Sequence, residues 1–377
     1  MRAVSLPHRA ESISRWFDII RGILRRLRGG HGRAAILGLF LTVVLISGSL
    51  AIIPRLVTRT SNRGVVSAVT DATDEQPGIS LNLQGTLAGT NADPLALVDQ
   101  DGRTFQSGMA PAIQRIVIGD SATVESERFT LLNPFGAVKN SQFFQTYLTL
   151  RYQTGLDKPG LVKLVSGRLP QPIAPVSPSV FQGKAGDLGD QPLPAFQIAL
   201  DQASADALKV KLGDRVLLQP DSSDPLTAGV PSAYLDYHLV AVVSGIFQPV
   251  GANSRYWRED NSLLQPAVLD QGNVVQIYAY GLIAPAAYNQ LLPQTSPVEW
   301  NYTWRYEIDP NRVNSGNYQT LSQSMQSLLL THGPATGFVA DPSTITLSSP
   351  LPAALEQFSS QRAFLVSVVT LAAIGVV

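Results

Sequence analysis

Apolar and polar positions are segregated along this chain at two scales. At the coarse scale, two uncharged stretches flank a long mixed middle. Ala34 to Ile53 is twenty residues without a charge, bounded by Arg33 and by Pro54-Arg55. At about 1.5 Å per helical residue, such a stretch reaches about 30 Å, the hydrocarbon thickness of a bilayer. Ala363 to Val377 is likewise uncharged to its last residue, but its fifteen residues are too few to span as written. The pattern predicts a transmembrane helix over 34–54 and the start of a second, cut short, over 363–377. Between them lies one large domain, 55–362, with two lobes, the inserted lobe covering about 135–285.

At the fine scale, the period of the apolar positions predicts individual elements. Ile13, Trp16, Ile20, Ile23, Leu24 and Leu27 recur at helical spacing, with Arg15, Arg21, Arg25, Arg26 and Arg28 on the remaining positions. A basic amphipathic helix with Trp on its apolar side suits a membrane surface. Asn62–Ala72 reads as a helix with Val65, Val66 and Val69 on one side. Ile79–Leu83 alternates as a strand. Leu95–Val98 and Arg103–Phe105 read as strands joined by a turn at Asp99-Gln100-Asp101-Gly102. Ile113–Ile118 reads as another strand, and Pro170–Pro194 as an exposed loop. Residues 195–247 are the most regular: a strand at Ala195–Leu200, a short helix at Ser204–Leu208 ending near Gly213, a strand at Arg215–Gln219, and a buried strand at His238–Phe247. Tyr318, Leu321, Met325, Leu328 and Leu329 share a helical face, and Pro352–Arg362 reads as a helix. Strands and helices mix without βαβ alternation, so the predicted class is α+β: an extracytoplasmic domain between two transmembrane helices of an integral membrane protein.

Charge adds an orientation. The 377 residues balance to zero, yet residues 1–33 carry eight Arg against Glu11 and Asp18. A basic flank before an apolar helix reads as cytoplasmic, which places the N-terminus inside and the large domain outside a bacterial plasma membrane. With no cysteine anywhere, that domain would hold together through its core alone.

Candidate chemistry is sparse. Four His, two of them at His238 and His332, and no Cys argue against a metal site. No Walker A, zincin or serine-hydrolase motif is present, so no catalytic residue, cofactor or nucleic-acid partner is predicted. His238, beside a buried strand, reads as structural. The aromatic stripe Trp300, Tyr302, Trp304 and Tyr306 would share one face of a strand. It is either a binding surface for a sugar or acyl chain or part of the core. Tyr256 and Trp257 form a second aromatic candidate in a polar loop. Arg21, Arg25, Arg26 and Arg28 are candidates for contact with membrane lipids or a partner ATPase. Leu355 and Phe358, on one face of the last helix, are candidates for a coupling stalk paired with Asn62–Ala72.

Several stretches resemble the FtsX/MacB-like permeases of ABC transporters. They are the leader and first helix at Ile23–Val44, "LVSGRLP" at Leu164–Pro170, "IALDQASADALKVKLGDRVLLQP" at Ile198–Pro220 and "HLVAVVSGIFQP" at His238–Pro249. The resemblance implies a MacB-like core domain and a dimer with a second permease copy, identical or not. It also implies a separate P-loop ABC ATPase whose hydrolysis moves the outer domain to export or extract a lipid, lipoprotein, peptide or drug. The chain itself would not be an enzyme. Two other classes stay open: a membrane-anchored sensor, and a non-transporting regulator of cell-wall hydrolases.

Overall fold

The computed structural model describes residues 30–86, 93–132, 143–155, 160–181, 188–251, 257, 262–295, 298–331 and 341–375. The chain divides into two compact units, Met1–Arg63 and Gly64–Val377. The described part of the first is helical and belongs to α1 (Gly30–Glu75), on which Leu39, Phe40, Leu41, Val43 and Val44 are exposed.

Among the described residues, no helix is long and apolar enough to cross a membrane. This corrects the expected fold class, an α+β domain between two transmembrane helices, and with it the expectation of an integral membrane permease. The uncharged stretch of α1 runs on through Pro54 into Arg55, Arg59 and Arg63 within one helix. Apolar residues leading up to the expected second span pack inside the protein. In the second unit, Val65 and Val69 near the end of α1 join Leu351, Leu355 and Phe358 at the start of α7 (Leu351–Gly375) in the main core. In place of the expected class stands a mixed α/β fold built on a closed barrel.

Among the described residues, the second unit has eleven strands: β1 (Ile79–Thr86), β2 (Val117–Leu131), β3 (Phe143–Gln153), β4 (Val162–Gly167), β5 (Ala195–Asp201), β6 (Arg215–Pro220), β7 (Leu239–Pro249), β8 (Ala267–Asp270), β9 (Val274–Ile283), β10 (Trp300–Ile308) and β11 (Asp341–Ser348). Six of them close on themselves in the order β2-β3-β9-β5-β7-β6 and back to β2. The β3/β9 and β5/β7 pairs are parallel and the other four antiparallel, so the barrel is mixed. Closure removes the free edges that an open sheet would leave. β2 belongs to two structures at once. Its first half also pairs with β10, which continues through β1 to β11 as a flanking sheet. A bulge between Glu125 and Arg128 marks the handover.

β5 explains itself by burial. Phe196, Ile198 and Leu200 enter the main core, while Ala195 and Ala199 each face a satellite cluster, so all seven residues are buried. A strand covered on both faces needs a continuous apolar run rather than alternation.

Three local expectations are corrected. Residues 95–105 are not a hairpin but the body of α2 (Pro94–Gly108). Asp93 caps it by accepting from the Leu95 amide, and Pro94 sits at its first turn, where its missing N–H costs nothing. Leu95, Val98, Phe105 and Met109 are buried at helical spacing, which outweighs the turn-like Asp-Gly pair. Ile113 lies in the one-turn helix α3 (Pro111–Gln114), and strand begins only at Val117. The short helix α4 (Gln202–Leu208) ends at Lys209, which takes a φ of 56°, four residues before Gly213. Gly213 does have a positive φ, but it serves the turn into β6, where Asp214 accepts from the Lys211 amide at 2.7 Å.

The core helices α5 (Pro285–Thr295) and α6 (Tyr318–Thr331) complete the unit. α6 buries Tyr318, Leu321, Met325 and Leu328 of the expected face, while Leu329 is only partly buried.

Candidate functional site: a polar cleft on the sheet

The aromatic stripe is core. Trp300, Tyr302, Trp304 and Tyr306 are at most 1% exposed, so none offers a face to a ligand. Each polar tip is satisfied internally. Trp304 Nε1 donates to the Val98 carbonyl at 3.1 Å, Tyr306 Oη to the Gly102 carbonyl at 2.9 Å, and Trp300 Nε1 to Thr295 Oγ1 at 2.9 Å. Tyr302 and Tyr288 share a hydroxyl–hydroxyl bond of 3.2 Å. Gly102 is there because nothing larger fits: a Cβ would stand 2.6 Å from the Trp304 ring.

Trp257 is also fully buried, with its Nε1 donating to the Leu161 carbonyl. Tyr256 lies outside the described residues, as do Arg21, Arg25, Arg26 and Arg28. His238 is half-buried, and burial pulls its imidazole below the ordinary value. Among the described residues, no group of three or more His, Cys, Asp or Glu is placed to hold a metal ion.

The stalk residues Leu355 and Phe358 belong to the same core as Val65 and Val69. A Cβ on Gly64 would stand 3.3 Å from the Phe358 ring, so the end of α1 and the start of α7 approach closely. Tyr318 of α6 packs edge-on against Phe358 and accepts a hydrogen bond from Arg362 at 3.2 Å.

The most developed polar site is one that the sequence did not announce. On the sheet face opposite the aromatic core, a cleft of about 270 Å³ opens where β2, β3, β9 and β10 meet. Its centre is Arg128. The Arg128 guanidinium lies 4.9 Å above the Tyr147 ring and 5.3 Å from the Tyr278 ring, which themselves stack at 4.8 Å. The parallel register of β3 and β9 sets those rings side by side, since Tyr147 is directly opposite Tyr278.

The loop after β6 fixes the arginine. Asp221 accepts from Arg128 Nε at 2.7 Å and pairs with its Nη2 at 2.6 Å, while Asp224 accepts from the Arg128 amide at 2.9 Å. Partial burial pushes the Asp221 carboxyl up, but hydrogen bonds from Ser223 and Arg128 outweigh it and hold Asp221 below its ordinary value. A second arginine, Arg151 of β3, is fully buried behind the lining residue Glu125. It pairs with Glu125 at 3.3 Å, donates to Ser262 and lies 5.6 Å from the Tyr280 ring.

Beside the cleft, the β2 bulge carries Glu127 into complete burial. Tyr237 donates to its Oε1, and its Oε2 has no partner among the described residues. Burial pushes this carboxyl up to about 8, with the Tyr237 hydrogen bond only partly opposing it. Glu127 is therefore a neutral acid at pH 7.

Only the spacing of tyrosines in "FFQTYLTLRYQ" and "VVQIYAYGLI" could have flagged the cleft. Neither strand reveals the parallel pairing that joins them. No protein-family model matches the chain, and no curated protein matches it.

Proposed function

We propose that the chain is a non-catalytic coupling subunit. It takes up movement driven by a separate P-loop ATPase, in an assembly of the FtsX/MacB kind with a second copy of itself or a relative, and passes that movement into the barrel domain. The observation that supports this is the seating of two helix ends in the domain core. Val65 and Val69 of α1 and Leu351, Leu355 and Phe358 of α7 are buried together, so displacing either helix displaces the packing it belongs to. A close-packed core transmits such a shift where a flexible tether would absorb it.

The test uses the full chain, purified from the cells that make it. A P-loop ATPase should accompany it, and ATP should change the protease sensitivity of the Pro170–Pro194 loop. A Gly-Gly-Ser insertion after Phe364, where the side chain is exposed and the Phe358 packing is spared, should keep ATPase binding and melting temperature but abolish the response to ATP. No accompanying ATPase, or a response that survives the insertion, overturns the proposal.

A second reading, a ligand-sensing domain, is favoured by the built cleft around Arg128.

A further inference from the structure

We infer that the cleft around Arg128 binds a neutral saccharide, one ring at a time. This does not rest on the coupling proposal.

The size of the cleft comes first. At about 270 Å³ it falls below the ~300 Å³ at which pockets for drug-sized ligands begin, so a single ring suits it.

Charge narrows the class. The lining carries carboxylates at Glu125 and Asp224, and both nearby guanidiniums are already engaged, Arg128 by Asp221 and Arg151 by Glu125. An anion would meet two carboxylates with no free cation to offset them. A cation would sit beside the Arg128 guanidinium. A neutral ligand incurs neither cost.

The remaining lining has the chemistry of a polyol site. Tyr147, Tyr278 and Tyr280 supply ring edges, faces and hydroxyls, while Asn301 and Thr149 supply short polar groups. Most polar side chains on this sheet face satisfy one another. Thr303 donates to Asn82, Gln84 to Glu299, Tyr147 to Gln145 and Tyr278 to Gln276. Two are exceptions: the Asn301 amide and the Thr149 hydroxyl line the cleft, and neither side chain bonds to another described residue. They sit on β10 and β3, on either side of β2, and offer one donor–acceptor amide and one hydroxyl across the opening. An apolar ligand would leave both unsatisfied; vicinal hydroxyls would satisfy both.

Saturation-transfer NMR on the full chain tests this, with glucose, galactose, mannose and N-acetylglucosamine as separate probes at millimolar concentration. Transfer from tyrosine ring protons to the ring protons of at least one sugar is expected. Asn301→Leu, which fills the opening, should abolish it. Thr149→Val should weaken binding about five-fold, the worth of one hydrogen bond. Melting temperatures of both variants serve as the check on folding. If Asn301→Leu does not fold, the Thr149→Val result decides. No transfer to any of the four sugars overturns the inference. So does transfer that both variants leave unchanged, or binding of inorganic phosphate in place of the sugars.

Discussion

The two faces of β10 are a controlled comparison within one strand. Trp300, Tyr302, Trp304 and Tyr306 point one way and are buried; Asn301, Thr303, Arg305 and Glu307 point the other. On the first face Trp304 and Tyr306 donate to carbonyls of α2, while Trp300 and Tyr302 each bond one buried hydroxyl. The second binds side chain to side chain, as Thr303 to Asn82 and Arg305 to Thr123. Large rings contribute area and need only one fixed acceptor each. Small polar groups contribute little area and must find one another. Stability should therefore reside on the first face, and room for a ligand on the second.

The sharpest way to break this comparison is Trp304→Ala. It empties a packed site and leaves the Val98 carbonyl without its donor, so a loss of about 3–5 kcal/mol is expected in denaturant unfolding. A loss below about 1 kcal/mol would show that the aromatic face is not where stability resides.

The β2 bulge extends the comparison to two carboxylates, Glu125 at the cleft and Glu127 in full burial. Glu127 holds its proton up to about pH 8 when folded, against an ordinary value of 4.5. Between those values the unfolded chain ionises while the folded chain does not. Stability should therefore fall as pH rises from about 4.5 to about 8 and level off above, by up to about 5 kcal/mol. Glu127→Gln, measured by thermal melts across that window, should flatten this slope. An unchanged slope would mean that Glu127 is not its source.

Smaller effects belong to the polar face. Asp221→Asn should cost about 1 kcal/mol and make stability less sensitive to salt, because it removes a partly screened ion pair with Arg128. Thr303→Val should cost less than about 1 kcal/mol, the worth of one half-buried hydrogen bond. Were it to cost as much as Trp304→Ala, the two faces would not differ as described.

Local pattern made much of this fold legible. The run from Ala195 to Phe247 gave its strand, helix, strand and strand because each element packs with near neighbours in sequence. The face of α6 and the burial of Val65, Val69, Leu355 and Phe358 followed from helical spacing. Failures came where local cues competed. Asp101-Gly102 has turn chemistry, yet Gly102 serves as a notch for Trp304 from a strand two hundred residues away. The stripe of β10 announced its direction but not whether that direction was solvent or core. The cleft was illegible for a related reason. Arg128, Tyr147, Asp221 and Tyr278 meet only because β2, β3, β6 and β9 are neighbours in a closed barrel, and nothing near any one of them names the others. The expected membrane spans rested on the uncharged lengths 34–54 and 363–377 and their flanking charges, whereas no helix among the described residues is long and apolar enough to cross a membrane.

The pairing of β1 carries a consequence for how the protein is made. Thr86 pairs with Asp341, and Leu83 with both Tyr302 and Ile345. When β1 leaves the ribosome, neither neighbour exists. At roughly 5–20 residues per second, the 255 positions separating Thr86 from Asp341 take about 10–50 s to synthesise. Until β10 is made, a strand carrying Ile79, Leu81 and Leu83 has two unpaired edges and an uncovered apolar face, and its β11 edge stays open through the whole interval. The barrel closes earlier, once β9 has appeared, and β10 can then add to β2. Assembly thus proceeds from the middle of the chain outward, and β1, made before the barrel strands, is among the last to be housed.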